Sequence, residues 1–191
     1  FMILLPATNL TEAGKVLERC RLRLTEAEVL SDSQERVIIS ASFGLTCHVK
    51  PEEVAAQLLI FPMIDDRDQT ASNQEIVFPK VWNRPSNQFG WKSYLGDLYG
   101  SAEVPLYAAP ARATVEDLRG LPPAYIDVGE LDAFRDEDIA YAQTLLTAGV
   151  ACELLVTPGA FHASEGYNPQ APSSKRITRS RLDWLSRALA P

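Results

Sequence analysis

Five short stretches of the chain are almost continuously apolar and are bounded by polar or turn-forming residues. Runs of this length are typical of parallel strands that are buried on both faces. Pro6 and Pro62 stop two of them, because proline cannot donate to a sheet ladder. The pattern predicts strands at Phe1–Leu5, Arg36–Ala41, Gln57–Phe61, Pro123–Val128 and Cys152–Thr157.

Apolar residues recur at helical spacing in the second half of the chain. One helix is predicted over Ile139–Val150, with Asp136–Asp138 as acidic residues of its first turn and Gly149 as its C-terminal cap. Its predicted buried face consists of Ile139, Ala142, Leu145 and Leu146.

A C-terminal helix is predicted over Ser173–Leu189. Its apolar residues are expected to point inward: Ile177, Leu182, Trp184, Leu185 and Leu189. Its basic residues are expected to point outward: Lys175, Arg176, Arg179, Arg181 and Arg187. Shorter helices are predicted at Glu12–Cys20, Thr25–Leu30, Asn87–Leu95 and Thr114–Leu118.

Strands that alternate with helices indicate an α/β fold with a mainly parallel sheet. Residues 65–120 interrupt this alternation with a long segment rich in aspartate, asparagine and aromatic residues. A connection of this length is usually functional or carries structure of its own. We therefore expect one domain over residues 1–191, with 65–120 as a loop and helix insertion.

Charge and cysteine content exclude several classes of protein. A net charge of −7 leaves no basic stripe to neutralise phosphates, so we expect no nucleic-acid partner. The thiols, Cys20, Cys47 and Cys152, have no metal-ligand spacing and indicate a reducing, cytoplasmic compartment. No apolar run has the ~18 residues of a membrane span, and the N-terminus does not resemble a signal peptide.

Two chemically active side chains follow neighbouring predicted strands. Asp132 comes just after the strand Pro123–Val128, and His162 follows Cys152–Thr157. Reactive groups of open α/β sheets lie at the carboxyl ends of strands, so these two are expected to form an acid–histidine pair. Glu130 is the rival for the acid, whereas Asp136–Asp138 are better explained as charges at a helix start.

An acid–histidine pair activates a nucleophile, and the chain offers one after its second predicted strand. Ser40-Ala-Ser42-Phe43-Gly44 matches the G-x-S-x-G turn except that Ser40 replaces the first glycine. Ser42 is the predicted nucleophile, with a structural turn serine as the alternative. The backbone N–H of Phe43 is the predicted oxyanion donor.

Four segments resemble the hormone-sensitive-lipase-like, or bacterial arylesterase-like, branch of the α/β-hydrolases: Gln57–Arg67, Asn87–Gly96, Leu121–Glu137 and Pro158–His162. The likeness covers roughly Val54–Ala190. It implies the α/β-hydrolase fold, with Ser42 as nucleophile, His162 as base and Asp132 as acid. The family's His-Gly-Gly-Gly segment is missing and its N-terminal cap is largely absent, so the fold is expected to be truncated on that side.

The sequence therefore predicts a serine carboxylic ester hydrolase acting on short-chain or aryl esters, without metal or organic cofactor. The alternative is a non-catalytic protein of the same fold that lacks a complete oxyanion hole. The resemblance implies a homodimer through the edge strand Cys152–Thr157.

Other residues are expected to be structural. Aromatic residues of long loops more often pack the loop against the domain than line an acyl pocket, which is the expectation for Trp82, Trp91 and Tyr94, and His48 is expected to be a loop residue. Asp65–Arg67 favours an ion-pair network over a metal site.

Overall fold

The computed structural model describes residues 29–30, 36–37, 56–78 and 81–188. The chain divides into two compact units, residues 1–50 and 51–191. In the first unit, β1 (Val29–Leu30) pairs antiparallel with β2 (Arg36–Val37). The helix predicted over Thr25–Leu30 is therefore wrong at Val29 and Leu30, and the pairing of Arg36–Val37 is antiparallel instead of parallel.

A polar run of five residues, Ser31–Glu35, separates those two short strands in the sequence. Such a run between apolar segments favours a hairpin over helix continuation. The other predictions for the first unit lie outside the described residues: the strand Phe1–Leu5, the helix Glu12–Cys20 and the remainder of Arg36–Ala41.

The second unit contains a parallel sheet in the order β3-β4-β5. Its strands are β3 (Gln57–Ile60), β4 (Ala124–Leu131) and β5 (Cys152–Phe161). All three predicted strands of this unit are confirmed, and β4 and β5 extend beyond the predicted ends. Residues 124–129 of β4 are buried throughout, as expected for a central strand covered on both faces.

The described part of the second unit contains the α-helices α1 (Ala71–Glu75), α2 (Arg84–Leu95), α3 (Arg135–Thr147), α4 (Ser164–Tyr167) and α5 (Pro172–Ala188). Three of them confirm predicted helices, with α2 and α3 starting earlier than expected. The helix predicted at Thr114–Leu118 is wrong: Asp117 accepts bonds from the backbone N–H and hydroxyl of Thr114, which closes a turn. No helix of the described ranges has the length and apolarity needed to cross a membrane.

The core lies between α3 and the sheet, where Ile126, Tyr141 and Leu145 are buried in one cluster. The predicted face of α3 is correct for Ala142 and Leu145. It is wrong for Ile139 and Leu146, whose side chains are exposed, because α3 turns Tyr141 toward the sheet instead.

Helix α5 covers the opposite face of the sheet, where Trp184 packs against Tyr125 with ring centroids 5.7 Å apart. Ile177 and Trp184 are buried as predicted, but Leu182 is 64% exposed. Arg181, predicted to point outward, is only 14% exposed because it lies on the same helical face as Ile177 and Trp184 and meets buried Asp127.

Gly129 allows β4 and β5 to approach closely before they separate. A Cβ atom at this position would lie 2.3 Å from the carbonyl oxygen of Ala160, which no side chain tolerates. The strand register then shifts, so that Leu131 pairs with Phe161. This irregularity determines where Asp132 and His162 leave the sheet.

Candidate active site

Asp132 ends β4 and organises the turn into α3. Its side chain is fully buried, and its Oδ1 accepts a hydrogen bond from the backbone N–H of Phe134 at 3.1 Å. The backbone N–H of Arg135 donates to the carbonyl of Asp132. Aspartate is suited to this place because its short side chain bonds the backbone two residues on. The second carboxylate oxygen is left to face another element.

That oxygen meets the histidine at the end of the next strand. Asp132 Oδ2 lies 3.0 Å from His162 Nδ1, and the His162 side chain is 16% exposed. A hydrogen bond in which the carboxylate accepts places the proton on Nδ1, and in the neutral imidazole Nε2 is then the acceptor. The structure thus brings together the acid and the histidine expected from the sequence, and their catalytic roles remain predictions.

Glu130, the rival acid, has a different partner. Its Oε2 accepts a hydrogen bond from the backbone N–H of Gly159 at 2.7 Å. Gly159 has φ +70, a conformation that favours glycine and turns the chain just before His162. Glu130 therefore holds the segment that leads to the histidine, whereas Asp132 contacts the imidazole itself.

Three aromatic rings surround the His162 imidazole. Its ring centroid lies 4.5 Å from that of Phe61, 5.4 Å from that of Phe134 and 5.7 Å from that of Trp82. Trp82 was a pocket candidate from the sequence, whereas Phe61 and Phe134 were missed. Their positions could have indicated them. Phe61 directly follows β3, and Phe134 lies in the turn after β4. Such rings limit water around the acid–histidine pair and strengthen its electrostatics.

The acidic residues after Asp132 are more than helix-start charges. Asp136 accepts from the Ser72 backbone N–H at 2.7 Å, as such a charge can do. Glu137 is buried and accepts from the backbone N–H groups of Ile64 and Asp65 at 2.8 and 3.0 Å. It also accepts from Asn73 Nδ2 at 3.0 Å, so it ties the loop after β3 to α3.

Asp138 is completely buried. Within the described part of the chain, neither of its carboxylate oxygens has a hydrogen-bond partner. Burial, together with the nearby charge of Glu137, raises the pKa of the Asp138 carboxyl well above its usual range. Asp138 lies in the first turn of α3, as predicted, but it differs from Asp136 in that neither solvent nor a described donor stabilises a charge on it.

The loop after β3 holds the expected ion pairs. Asp65 binds Arg67 and Asp66 binds Arg112, each with a nitrogen–oxygen distance of 2.7 Å. Across the residues that the structure describes, no group of histidine, cysteine and carboxylate side chains is arranged to hold a metal ion. Trp91 is buried with Val104 and Ala109 and packs against Tyr94, so it belongs to a small core.

Ser42, Phe43 and His48 lie outside the described residues. The acid–histidine half of the predicted triad therefore has a described geometry, and the nucleophile and the oxyanion donor remain predictions from the sequence. The arrangement can accept a proton at His162 Nε2 and stabilise the resulting imidazolium through Asp132.

Comparison with known proteins identifies the family to which these features belong. A family model described as the alpha/beta hydrolase fold matches residues 38–165, more than half of the 191 residues. The chain belongs to the α/β-hydrolase fold family. This match confirms the fold class expected from the sequence, and the esterase-named relatives and solved structures described next confirm the likeness to the esterase branch.

Curated α/β-hydrolase relatives carry esterase names. The chain is 37% identical over 93 residues to carboxylesterase NlhH of Mycobacterium tuberculosis, which is 49% of this chain and 28% of that protein. It is 38% identical over 147 residues to esterase LipI of the same species, covering 64% of this chain and 44% of LipI. The chain therefore spans less than half the length of these relatives.

Solved α/β-hydrolase structures align with about the same part of the chain. The structure named "Bacterial Heroin Esterase" is 44% identical with a TM-score of 0.69, covering 72% of this chain and 44% of that one. Esterase LipW from Mycobacterium marinum is 35% identical with a TM-score of 0.63, covering 71% and 41%.

Proposed function

We propose that this protein hydrolyses short-chain or aryl carboxylic esters through Ser42, His162 and Asp132. The observation that carries the proposal is the 3.0 Å contact between Asp132 Oδ2 and His162 Nδ1 at the carboxyl ends of adjacent parallel strands. Relatives named esterase and carboxylesterase support the reaction class.

The proposed mechanism is acyl transfer in two halves. His162 Nε2 takes the Ser42 hydroxyl proton while Ser42 Oγ attacks the ester carbonyl carbon, and the imidazolium then gives that proton to the leaving alcohol. Water attacks the acyl-enzyme in the same way, releasing the carboxylic acid and free Ser42. Asp132 orients the imidazole and stabilises its charge, and the Phe43 N–H stabilises the oxyanion. No cofactor takes part in these steps.

Hydrolysis of p-nitrophenyl acetate tests this function. Ser42→Ala and His162→Gln are each expected to lower kcat by at least about 1,000-fold, because each removes a member of a unit that acts together. His48→Gln is the matched control, since His48 is the other histidine of the chain and is predicted to be a loop residue without a catalytic role. Equal rates for wild type and Ser42→Ala would contradict the proposal.

A non-catalytic protein of the same fold is the second candidate. The specific observation in its favour is that the 191-residue sequence contains no His-Gly-Gly-Gly run to donate to an oxyanion. A fluorophosphonate separates the two candidates because it phosphonylates only an activated serine. Stoichiometric labelling that disappears in Ser42→Ala supports the hydrolase, and no labelling of folded protein supports the alternative.

We also propose a homodimer formed through β5. In the described sheet β5 is an outer strand of ten residues, and Leu154 in it is 36% exposed. An exposed strand edge is a template for pairing with another chain, and a lysine there opposes such pairing. Sedimentation at micromolar concentration should give twice the monomer mass for wild type and the monomer mass for Leu154→Lys.

The matched control for the dimer is Leu146→Lys on α3, since Leu146 is 57% exposed but does not belong to β5. It should sediment like the wild type. Wild type that sediments only as a monomer would remove the proposed dimer.

A further inference from the structure

Arg181 joins three elements through a compact ion-pair network. Its Nε and Nη2 donate to the two carboxylate oxygens of Asp127, and its Nη1 donates to Glu165 Oε1, each at 2.6 Å. The side chains of Arg181 and Asp127 are only 14% and 3% exposed. The network therefore fixes α5 to the centre of β4 and to α4, the helix that follows His162.

The same guanidinium lies over an aromatic ring that contacts the histidine. Arg181 Cζ is 5.5 Å from the centroid of the Phe61 ring, which meets the His162 ring in a T-shaped arrangement. Phe61 has φ +34, a left-handed conformation that is strained for a residue with a side chain. Its backbone N–H donates to the Asp127 carbonyl at 2.7 Å, so Asp127 contacts both Phe61 and Arg181.

We propose that Arg181 is a positioning residue that keeps the His162 imidazole facing Asp132, an inference that rests on the proposed function. It acts on the imidazole from two sides. Over Phe61, the guanidinium fixes the ring against which the imidazole packs. Through Glu165, it anchors α4, which begins at Ser164, only two residues beyond His162.

The residue between His162 and α4 explains why an anchor is needed there. Ala163 has φ +55, a left-handed conformation that alanine adopts only when the surroundings enforce it. Glu165 bonded to Arg181 supplies such a constraint immediately after the strained residue. Without it, relaxation of Ala163 would rotate His162 away from Asp132.

A buried ion pair such as Arg181–Asp127 is not expected to add much to the free energy of unfolding. Desolvation of both charges offsets much of their attraction, and well-packed apolar residues often replace such pairs without loss of stability. What a bidentate arginine–carboxylate pair does supply is fixed geometry, since the planar guanidinium holds two parallel hydrogen bonds. That property is what a histidine surrounded by two strained residues, Phe61 and Ala163, requires.

The test substitutes Arg181→Lys, which keeps the charge but not the planar fork. In a His48→Gln background a single imidazole remains, so its Nδ1 proton, hydrogen-bonded to Asp132, is observed by NMR without ambiguity. We expect that signal to broaden or disappear. With p-nitrophenyl acetate, kcat should fall about 10- to 100-fold, the effect of a misplaced catalytic group, while KM stays nearly unchanged.

Arg187→Lys is the matched control on the same helix. Arg187 pairs with Glu153 at 2.7 Å, but both side chains are largely exposed, at 62% and 46%. It should leave the imidazole signal and kcat as they are. Glu165→Ala is a second variant, which removes only one of the three bonds of the network and should weaken the same signal.

An unchanged Nδ1 signal and kcat in Arg181→Lys, whatever happens to its melting temperature, would show a merely structural residue and overturn the proposal. If Arg181→Lys does not fold, Glu165→Ala decides in its place by the same criterion. The NMR measurement needs no turnover. Failure to hydrolyse esters would therefore contradict the proposed function, whereas failure to perturb the imidazole would contradict the role of Arg181.

Discussion

Asp132→Asn is expected to lower kcat for ester hydrolysis about 10⁴-fold without unfolding the protein. The asparagine carbonyl can still accept from the Phe134 backbone N–H, as Asp132 Oδ1 does at 3.1 Å, so the turn into α3 is kept. The amide NH₂ then faces His162 Nδ1. The amide and Nδ1 cannot both donate to each other, so the imidazole changes tautomer and Nε2 carries the proton. In that tautomer Nε2 cannot accept a proton from Ser42, the proposed nucleophile.

The measurement is kcat with p-nitrophenyl acetate for wild type, Asp132→Asn and Glu130→Gln. Glu130→Gln is the matched control because its side-chain carbonyl can still accept from the Gly159 backbone N–H, the contact that Glu130 makes at 2.7 Å. Its kcat should stay within about threefold of the wild type, a change of well under 1 kcal/mol. A comparable loss in both variants would mean that Asp132 has no special role, and a loss in Glu130→Gln alone would make Glu130 the acid.

The second large effect concerns stability and comes from the buried Asp138. Its folded-state pKa is raised, first by burial and then by the charge of Glu137. The folded protein therefore holds a proton that the unfolded chain releases above about pH 4. Stability is greatest below the unfolded pKa and falls as the pH rises toward the folded pKa. In that window the contribution of Asp138 declines by about 1.4 kcal/mol per pH unit.

Asp138→Asn removes this dependence. The measurement is the free energy of unfolding in urea for both proteins from about pH 4 upward. The free energy of the variant relative to that of the wild type should increase as the pH rises, by about 1.4 kcal/mol per pH unit. Curves that stay parallel across the range would contradict a raised pKa at Asp138.

Asp136→Asn is the matched control in the same helical turn, with the opposite sign. Burial opposes ionisation of Asp136, but hydrogen bonds from Arg135 and the Ser72 backbone N–H prevail and lower its pKa. Asp136 thus contributes stability that is present above its unfolded pKa and lost as the pH falls through its folded pKa. The variant should be less stable than the wild type at neutral pH, and the two should converge in acid.

The sequence allowed the sheet and half of the site to be predicted for a physical reason. The runs predicted as strands, Gln57–Phe61, Pro123–Val128 and Cys152–Thr157, are apolar enough to form strands without help from the rest of the fold. The carboxyl ends of neighbouring parallel strands lie at the same edge of the sheet. Asp132, just after β4, and His162, just after β5, are therefore close to each other.

Features that depend on distant partners could not be predicted. Arg181 lies on a buried helical face because Asp127, 54 residues earlier, accepts its hydrogen bonds, and helical periodicity treats any arginine as an outward residue. Glu137 can be buried because its carboxylate accepts hydrogen bonds from backbone N–H groups that are distant in the sequence, such as that of Ile64, 73 residues earlier. The same limit applied to β1, where local propensity favoured a helix and pairing with Arg36–Val37 made a strand.

The contact between Asp132 and His162 also has a consequence for the order of folding. The two residues are 30 positions apart and are joined by one unit of β4, α3 and β5, whose strands share the most extensive pairing of the sheet. Ser42 is 90 positions from Asp132 (132 − 42). The entropy lost on closing a loop increases with the number of residues in it. The contact between Asp132 and His162 therefore costs less entropy than the proposed contact with Ser42 would. The acid–histidine contact thus accompanies the local pairing of β4 with β5, whereas the proposed nucleophile, Ser42, would have to close a much longer loop to reach it.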